Sequence, residues 1–254
     1  MTPQLGTPDR WLWRPRPRDH ARYRLLCFPF AGSGPRAFQG WDRWLAPDVE
    51  LLGVRLPGRE NRLAEPAYDH WPTLIDAAAD ALAPWLDRPF AVFGHSFGGQ
   101  LAFQLGARWS HEPRAGLRLV AVSACSPPHS GCTHQGLARL NRKPLFATLA
   151  RWGGMPEEAL ADEAFTSLFE PTLRADMRLA EAWHELPRCR ITTPLAAFAG
   201  TDDAMATPRK MREWACYADG GFTFTPFQGD HFFLHQHPRQ LVSTLTSMLR
   251  SAAI

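Results

Sequence analysis

Short apolar runs recur along the chain at Leu25–Phe28, Val49–Val54, Phe90–Phe93, Leu117–Val122, Leu195–Ala199 and Phe222–Phe227. They are rich in β-branched or aromatic residues, and most end at a glycine or proline, among them Pro29, Pro57, Gly94, Gly200 and Gly229. Between most of them the apolar positions return with helical spacing, as in Trp71–Leu86 and Gln100–Trp109. Runs this short and continuously apolar, alternating with helices, predict an α/β fold: a mostly parallel central sheet with helices on both faces. Pro238–Leu249 predicts a closing amphipathic helix with Leu241, Leu245, Met248 and Leu249 inward.

Residues 126–190 break this alternation and hold no convincing strand. Helical patterns cover Leu137–Trp152, Pro156–Leu160 and Asp162–Leu186. Asp162 reads as an N-cap, followed by an apolar helical face of Phe165, Leu168, Phe169 and Leu173. The expected organisation is one α/β core, 1–125 with 191–254, carrying 126–190 as a helical lid or cap.

Composition narrows the picture. The chain has 254 residues, 45% apolar and 21% charged, which suits one globular domain with an insertion. A net charge of +3 makes no case for a nucleic-acid partner. No apolar run is long enough to span a bilayer, and the N-terminus lacks the apolar core of a signal peptide, so neither membrane nor export is expected. The 5 cysteines are odd in number and form no CxxC, which reads as reduced thiols in a cytoplasmic protein. Cys125, His129, Cys132 and His134 are zinc-ligand types, but their spacing fits no closed structural site, and no metal is expected. Arg10, Arg14, Arg16, Arg18, Arg22 and Arg24 crowd the start of the chain, either as a solvated arm or as a surface for an acidic partner.

Candidate chemistry centres on Gly94-His95-Ser96-Phe97-Gly98, a G-x-S-x-G between a predicted strand and a predicted helix. A serine on such a turn projects from the sheet edge, and the flanking glycines let the backbone fold sharply. Ser96 is therefore the candidate nucleophile. Its base is expected in the late Gly229-Asp230-His231-Phe232 loop, at His231; His235 and His237 fall on the start of the last helix, and His95 points away from Ser96. The orienting acid should follow Leu195–Ala199, where Asp202 and Asp203 compete. Asp203 is favoured because the chain needs a few residues to clear the sheet edge, leaving Asp202 as a turn residue. Asp230 is too close to His231 to fold back onto its ring. Oxyanion donors are expected at the Phe97 N–H and in the loop Phe28–Gly34, at Ala31 or, second, Phe30.

With Cys27-Phe28-Pro29-Phe30-Ala31-Gly32, Leu56-Pro57-Gly58-Arg59-Glu60, Gly94 to Gly99, Leu173-Arg174-Ala175-Asp176 and the histidine loop, nearly the whole chain resembles the type II thioesterases of nonribosomal peptide and polyketide synthesis. Ser33 stands where that family often has a second glycine. The resemblance implies the α/β-hydrolase fold and a stand-alone, monomeric editing enzyme. Such an enzyme hydrolyses acyl or aminoacyl thioesters from the phosphopantetheine arm of carrier domains. It implies no cofactor, since that arm belongs to the substrate. The insertion would receive the arm, and Arg14, Arg16 and Arg18 would face the acidic carrier. The alternatives are a general carboxylesterase or acyltransferase of the same fold, and a non-catalytic carrier-binding protein.

Overall fold

Most of the apolar runs become strands that are buried on both faces at once, the edge run Phe222–Phe227 being the half-exposed exception. The computed structural model describes residues 10–112, 116–131, 135–154, 159 and 162–252. Among them one sheet contains β1 (Leu12–Trp13), β2 (Tyr23–Phe28), β3 (Val49–Val54), β4 (Phe90–His95), β5 (Leu117–Ser123), β6 (Leu195–Gly200) and β7 (Phe222–Phe227). Their order in space is β1-β3-β2-β4-β5-β6-β7. β2 to β7 run parallel, and β1 pairs antiparallel with the end of β3, Leu12 opposite Val54. β2, β3, β4 and β6 are buried along their whole length. β7 lies at the sheet edge, where its Pro226 leaves no inner ladder bond unmade.

The helices are α1 (Trp71–Leu82), α2 (Phe97–Ser110), α3 (Arg142–Arg151), α4 (Glu163–Ala182), α5 (Pro208–Arg212), α6 (Phe233–Gln236) and α7 (Pro238–Ser251). α1, α2 and α5 cover one face of the sheet, where Leu74, Leu101, Phe103, Met211 and Trp214 belong to one buried cluster. α7 covers the other with Leu241, Val242, Leu245 and Leu249, against Phe93, Phe198 and Phe227. Met248 is only partly buried there. The helical spacing through Leu86 is cut short: α1 ends at Leu82 and passes into a 3-10 turn over Ala83–Trp85, because Pro84 has no N–H to continue the ladder. No helix among the described residues is long and apolar enough to cross a membrane.

Between β5 and β6 the described residues form helices, 3-10 turns and loops, and no strand of the sheet. The single helix read over Leu137–Trp152 is instead a 3-10 turn at Leu137–Arg139 and, after an extended break at Leu140 and Asn141, α3. The Pro156–Leu160 helix falls almost wholly outside the described residues. Asp162 caps α4, accepting the Phe165 N–H at 3.0 Å. The face α4 buries differs from the expected one. Leu173 is buried, but Phe165 is exposed and Leu168 is 60% exposed; Thr172, Ala175, Asp176 and Leu179 turn inward instead. Two of these are polar residues with buried partners, which an apolar periodicity cannot register.

The arginine-rich start is not a loose arm: Arg14, Arg18 and Arg24 are tied to the fold, while Arg10, Arg16 and Arg22 are exposed. Arg14 Nε donates to Glu50 Oε1 at 2.8 Å, and Arg24, beside Glu50 in the β2–β3 register, pairs with Glu50 and Asp87. Arg18 donates to the carbonyls of Val49 and Asp42 at 2.7 and 2.8 Å. Arg24 and Glu50 lie at the starts of parallel strands, so this cluster sits at the sheet edge opposite Ser96, which follows the end of β4. Arg14 and Arg18 therefore do not form a rim at the G-x-S-x-G turn, which corrects that expectation; Arg16 is exposed beside them. Glu50 is 0% exposed, and removing its charge leaves Arg14 with only the exposed Asp19 and Arg24 with only Asp87 as carboxylate partner. Glu50→Gln is expected to lower stability by roughly 1.5–3 kcal/mol, measured by urea unfolding, and Arg16→Gln by no more than about 0.5 kcal/mol. Equal, small effects would contradict the anchoring role.

Candidate active site

β4 ends at His95, and the next residue, Ser96, has φ 54° and ψ −121°, a conformation that L-residues adopt only under constraint. The turn is tight because both flanking glycines meet backbone. A Cβ at Gly94 would lie 1.9 Å from the Gly98 carbonyl oxygen, and one at Gly98 would lie 2.1 Å from that of Phe28. The Ser96 N–H donates to the Ser123 carbonyl at 2.8 Å, which ties the turn to the end of β5. α2 starts directly afterwards, so the Phe97 N–H belongs to the first turn, where a helix supplies no acceptor of its own.

The loops after β6 and β7 meet above this turn. Gly200 and Asp230 approach so closely that a Cβ on Gly200 would lie 2.1 Å from the Asp230 carbonyl oxygen. His231 is 7% exposed, and its Nδ1 lies 2.9 Å from Asp203 Oδ2. Asp203 is 3% exposed, and its Oδ1 accepts the N–H groups of Met205 and Ala206 at 2.8 and 3.0 Å. Burial by itself would raise the Asp203 carboxyl; the hydrogen bond and charge of His231, with those two N–H groups, outweigh it and hold the carboxyl below its ordinary range. Asp202 is exposed, linked to Thr201 and Gln228, with its N–H given to the Gly229 carbonyl at 2.9 Å. Asp230 accepts the Phe232 N–H. The structure thus brings Asp203, not Asp202 or Asp230, onto His231. His235 lies in α6 against Phe30 and Phe232, and His237 precedes α7.

After β2, the Ser33 N–H donates to the Phe30 carbonyl at 3.0 Å, closing a turn with Ala31 and Gly32 at its tip and φ 73° at Gly32. Among the described residues the Ala31 N–H has no hydrogen-bond acceptor. Ser96, Phe97, Ala31, Phe30 and His231 all line one cavity of about 150 Å³. Its remaining wall is mostly apolar, with Leu149, Trp152, Phe169, Leu173, Met177 and Trp183 coming from the insertion and its end.

Cys125 also lines the cavity, and burial pushes its thiol well above the ordinary range. His129 is engaged elsewhere, at 3.1 Å from both the Tyr217 hydroxyl and Glu213. Cys132 and His134 lie outside the described residues, and among those described no His, Cys, Asp and Glu cluster could hold a metal. Sequence reasoning singled out the stretches around Arg59 and Asp176 without a role. They meet: Arg59 and Asp176 form a buried ion pair at 3.0 Å.

His95 is fully buried, with Nδ1 2.9 Å from Ser123 Oγ and its ring packed edge-on against His231. Burial, reinforced by the neighbouring His231, holds it neutral well below its ordinary pKa of 6.5. Unfolding frees it to take a proton, so its contribution to stability is full above pH 6.5 and is lost as the pH falls below it. One such group contributes a slope of up to about 1.4 kcal/mol per pH unit. His95→Gln is expected to remove that share of the slope between pH 6.5 and 5 in urea unfolding; an unchanged slope would assign the proton uptake to other groups.

A family model described as a thioesterase domain matches residues 23–249. The thioesterase PikA5 of Streptomyces venezuelae is 31% identical over 244 residues, covering 94% of this chain and 85% of the relative. The gramicidin S biosynthesis protein GrsT of Aneurinibacillus migulanus is 28% identical over 246 residues, with 97% and 96% covered. Among solved structures, the type II thioesterase BorB from the borrelidin biosynthetic cluster has a TM-score of 0.86 at 32% identity, over 96% of this chain and 99% of that one. The chain belongs to the thioesterase family, on the α/β-hydrolase fold and among the type II thioesterases of nonribosomal peptide and polyketide biosynthesis.

Proposed function

We propose that the protein hydrolyses acyl and aminoacyl thioesters from the phosphopantetheine arm of carrier domains, clearing misprimed or stalled synthases. The observation that carries this reading is Ser96 and His231 lining one apolar cavity, with Asp203 held on Nδ1 of His231. Ser96 Oγ attacks the thioester carbonyl carbon while His231 Nε2 takes its proton. The oxyanion that forms is held by the N–H groups of Phe97 and Ala31. The C–S bond breaks, and the carrier thiolate leaves with the proton from His231. Water then attacks the acyl-Ser96 ester, giving its proton to His231, and the free acid departs as Ser96 is restored. Asp203 keeps His231 in the tautomer that presents Nε2 as a base and stabilises the imidazolium once formed. Its depressed pKa means that the carboxylate is charged throughout neutral pH.

The relatives support the partner class. GrsT is named for gramicidin S biosynthesis and BorB for the borrelidin cluster. Such assembly lines hold their intermediates on carriers, so binding energy from the carrier body is available at the reacting thioester. A hydrolysis panel tests the reading. An acyl-carrier protein is expected to be cleaved with higher kcat/KM than the same acyl group on N-acetylcysteamine, and both far faster than the matched oxygen ester. Equal rates on all three would favour a general esterase. Absence of phosphonate labelling at Ser96 would favour a non-catalytic carrier-binding protein.

Two aspartates give a sharper test. Asp203→Asn is expected to lower kcat on a small thioester by about three to four orders of magnitude, through loss of the correct tautomer. Asp202→Asn, at an exposed turn, is expected to stay within about threefold of wild type. The reverse ranking would remove Asp203 from the mechanism.

A further inference from the structure

Five backbone groups in and around the Phe30–Ser33 turn are held by side chains that the proposed mechanism does not use: the N–H groups of Gly32 and Arg36 and the carbonyls of Ser33, Pro57 and Gly58. Asp176, on the buried face of α4, is 1% exposed and accepts the Gly32 N–H through Oδ2 at 2.7 Å. The same oxygen accepts Arg59 Nη1 at 3.0 Å, and Oδ1 accepts Arg59 Nη2 at 3.0 Å, a two-point contact that sets orientation as well as distance. Arg59 Nη1 also donates to the Ser33 carbonyl at 3.0 Å, and its Nε to the Pro57 carbonyl at 3.2 Å. One ion pair thus grips the turn from both sides, through the Gly32 N–H and the Ser33 C=O. Glu60, next along, bonds Arg55 and reaches the Arg36 N–H. Thr172, one helical turn before Asp176, donates to the Gly58 carbonyl at 2.5 Å. From the cavity side, Phe169 of α4 covers the tip: its Cζ lies 2.3 Å from where a Gly32 Cβ would stand.

We infer that Arg59 and Asp176 are positioning residues for the oxyanion hole, holding the Ala31 N–H at its working place from the helical insertion. The inference rests on the proposed function, which gives Ala31 its role. The tip peptide of a turn is the part that rotates most easily, since only the flanking residues are paired. Here the tip peptide, Ala31 C=O with Gly32 N–H, is pinned at the Gly32 N–H by a carboxylate that is itself held by a fork. Because this peptide shares the Ala31 Cα with the one that carries the Ala31 N–H, fixing it limits how that N–H can swing. α4 also supplies Phe169, Leu173 and Met177 to the cavity wall. The wall that meets the acyl chain and the turn that meets its carbonyl oxygen are therefore joined through Asp176. A donor aimed at an oxyanion acts mainly in the transition state, so disturbing it lowers kcat rather than raising KM.

The test uses Asp176→Asn, which keeps the shape and an acceptor but loses the charge, and Arg59→Lys, which keeps the charge but loses the fork. Rates are taken per active site titrated with a serine-directed phosphonate, so that misfolded protein does not count. Both variants are expected to lower kcat on an N-acetylcysteamine thioester about ten- to a hundredfold with KM within about twofold. They should weaken binding of an alkyl boronic acid, which forms a tetrahedral oxyanion-like adduct on serine, by the same factor as kcat. Glu170→Gln, which breaks the Glu170–Arg174 ion pair on the same helix, is the control and should change neither. Unchanged kcat per titrated site, or a higher KM with kcat intact, would leave the pair holding only the insertion and would overturn the inference. If Asp176→Asn yields no folded protein, Arg59→Lys decides alone by the same criteria. A wild type inert to every thioester would instead defeat the proposed function, and this inference with it.

Discussion

Where β4 becomes α2, the backbone comes closer to itself than any side chain would permit. Gly94 lies against Gly98, and Gly98 against the end of β2 at Phe28, so that a methyl group at either position would meet a carbonyl oxygen near 2 Å: 1.9 and 2.1 Å respectively. The positive φ of Ser96 is the conformation this closeness imposes. Other features follow from it. Ser96 and Phe97, the first residue of α2, line one cavity, and the loop after β2 is drawn close enough for Phe30 and Ala31 to share it.

The parallel sheet supplies the remaining parts because its strands all end on one side. The loops after β6 and β7 meet there, with Gly200 allowing the backbone of Asp230 to come close. Asp203 leaves β6 at the height where it meets the His231 ring. Residues between β5 and β6 line the cavity with large apolar side chains, and an apolar wall strengthens each charge and dipole that faces it. On the proposed reading, the sheet provides the reacting groups while the insertion provides the acyl wall and, through Asp176, the stiffness of the oxyanion turn.

Features set by local pattern were legible in the sequence. The strands β2 to β7 announce themselves as apolar runs, α7 by its spacing, the turn at Ser96 by its glycines, and the N-cap of α4 by Asp162. What the sequence hid depends on residues far apart in it. The arginine-rich start reads as loose charge until Glu50 is known to lie buried between Arg14 and Arg24, which are 36 and 26 positions away. Arg59 and Asp176 are 117 residues apart, and no spacing rule links them. β1 is a two-residue strand, too short to leave a pattern. The buried face of α4 was misplaced because two of its inward residues, Thr172 and Asp176, are polar, while Phe165 and Leu168, apolar and on the expected stripe, turn outward.

The central claim is that hydrolysis passes through an acyl group bonded to Ser96. Rapid mixing of the protein with an excess of acyl-carrier substrate, quenching in acid within the first turnover, and intact-mass and peptide mass spectrometry test it directly. The account predicts a mass increase equal to the acyl group, located on the peptide that contains Ser96 and absent from Ser96→Ala. Turnover without an adduct on that peptide, or an adduct carried by Cys125, would contradict it.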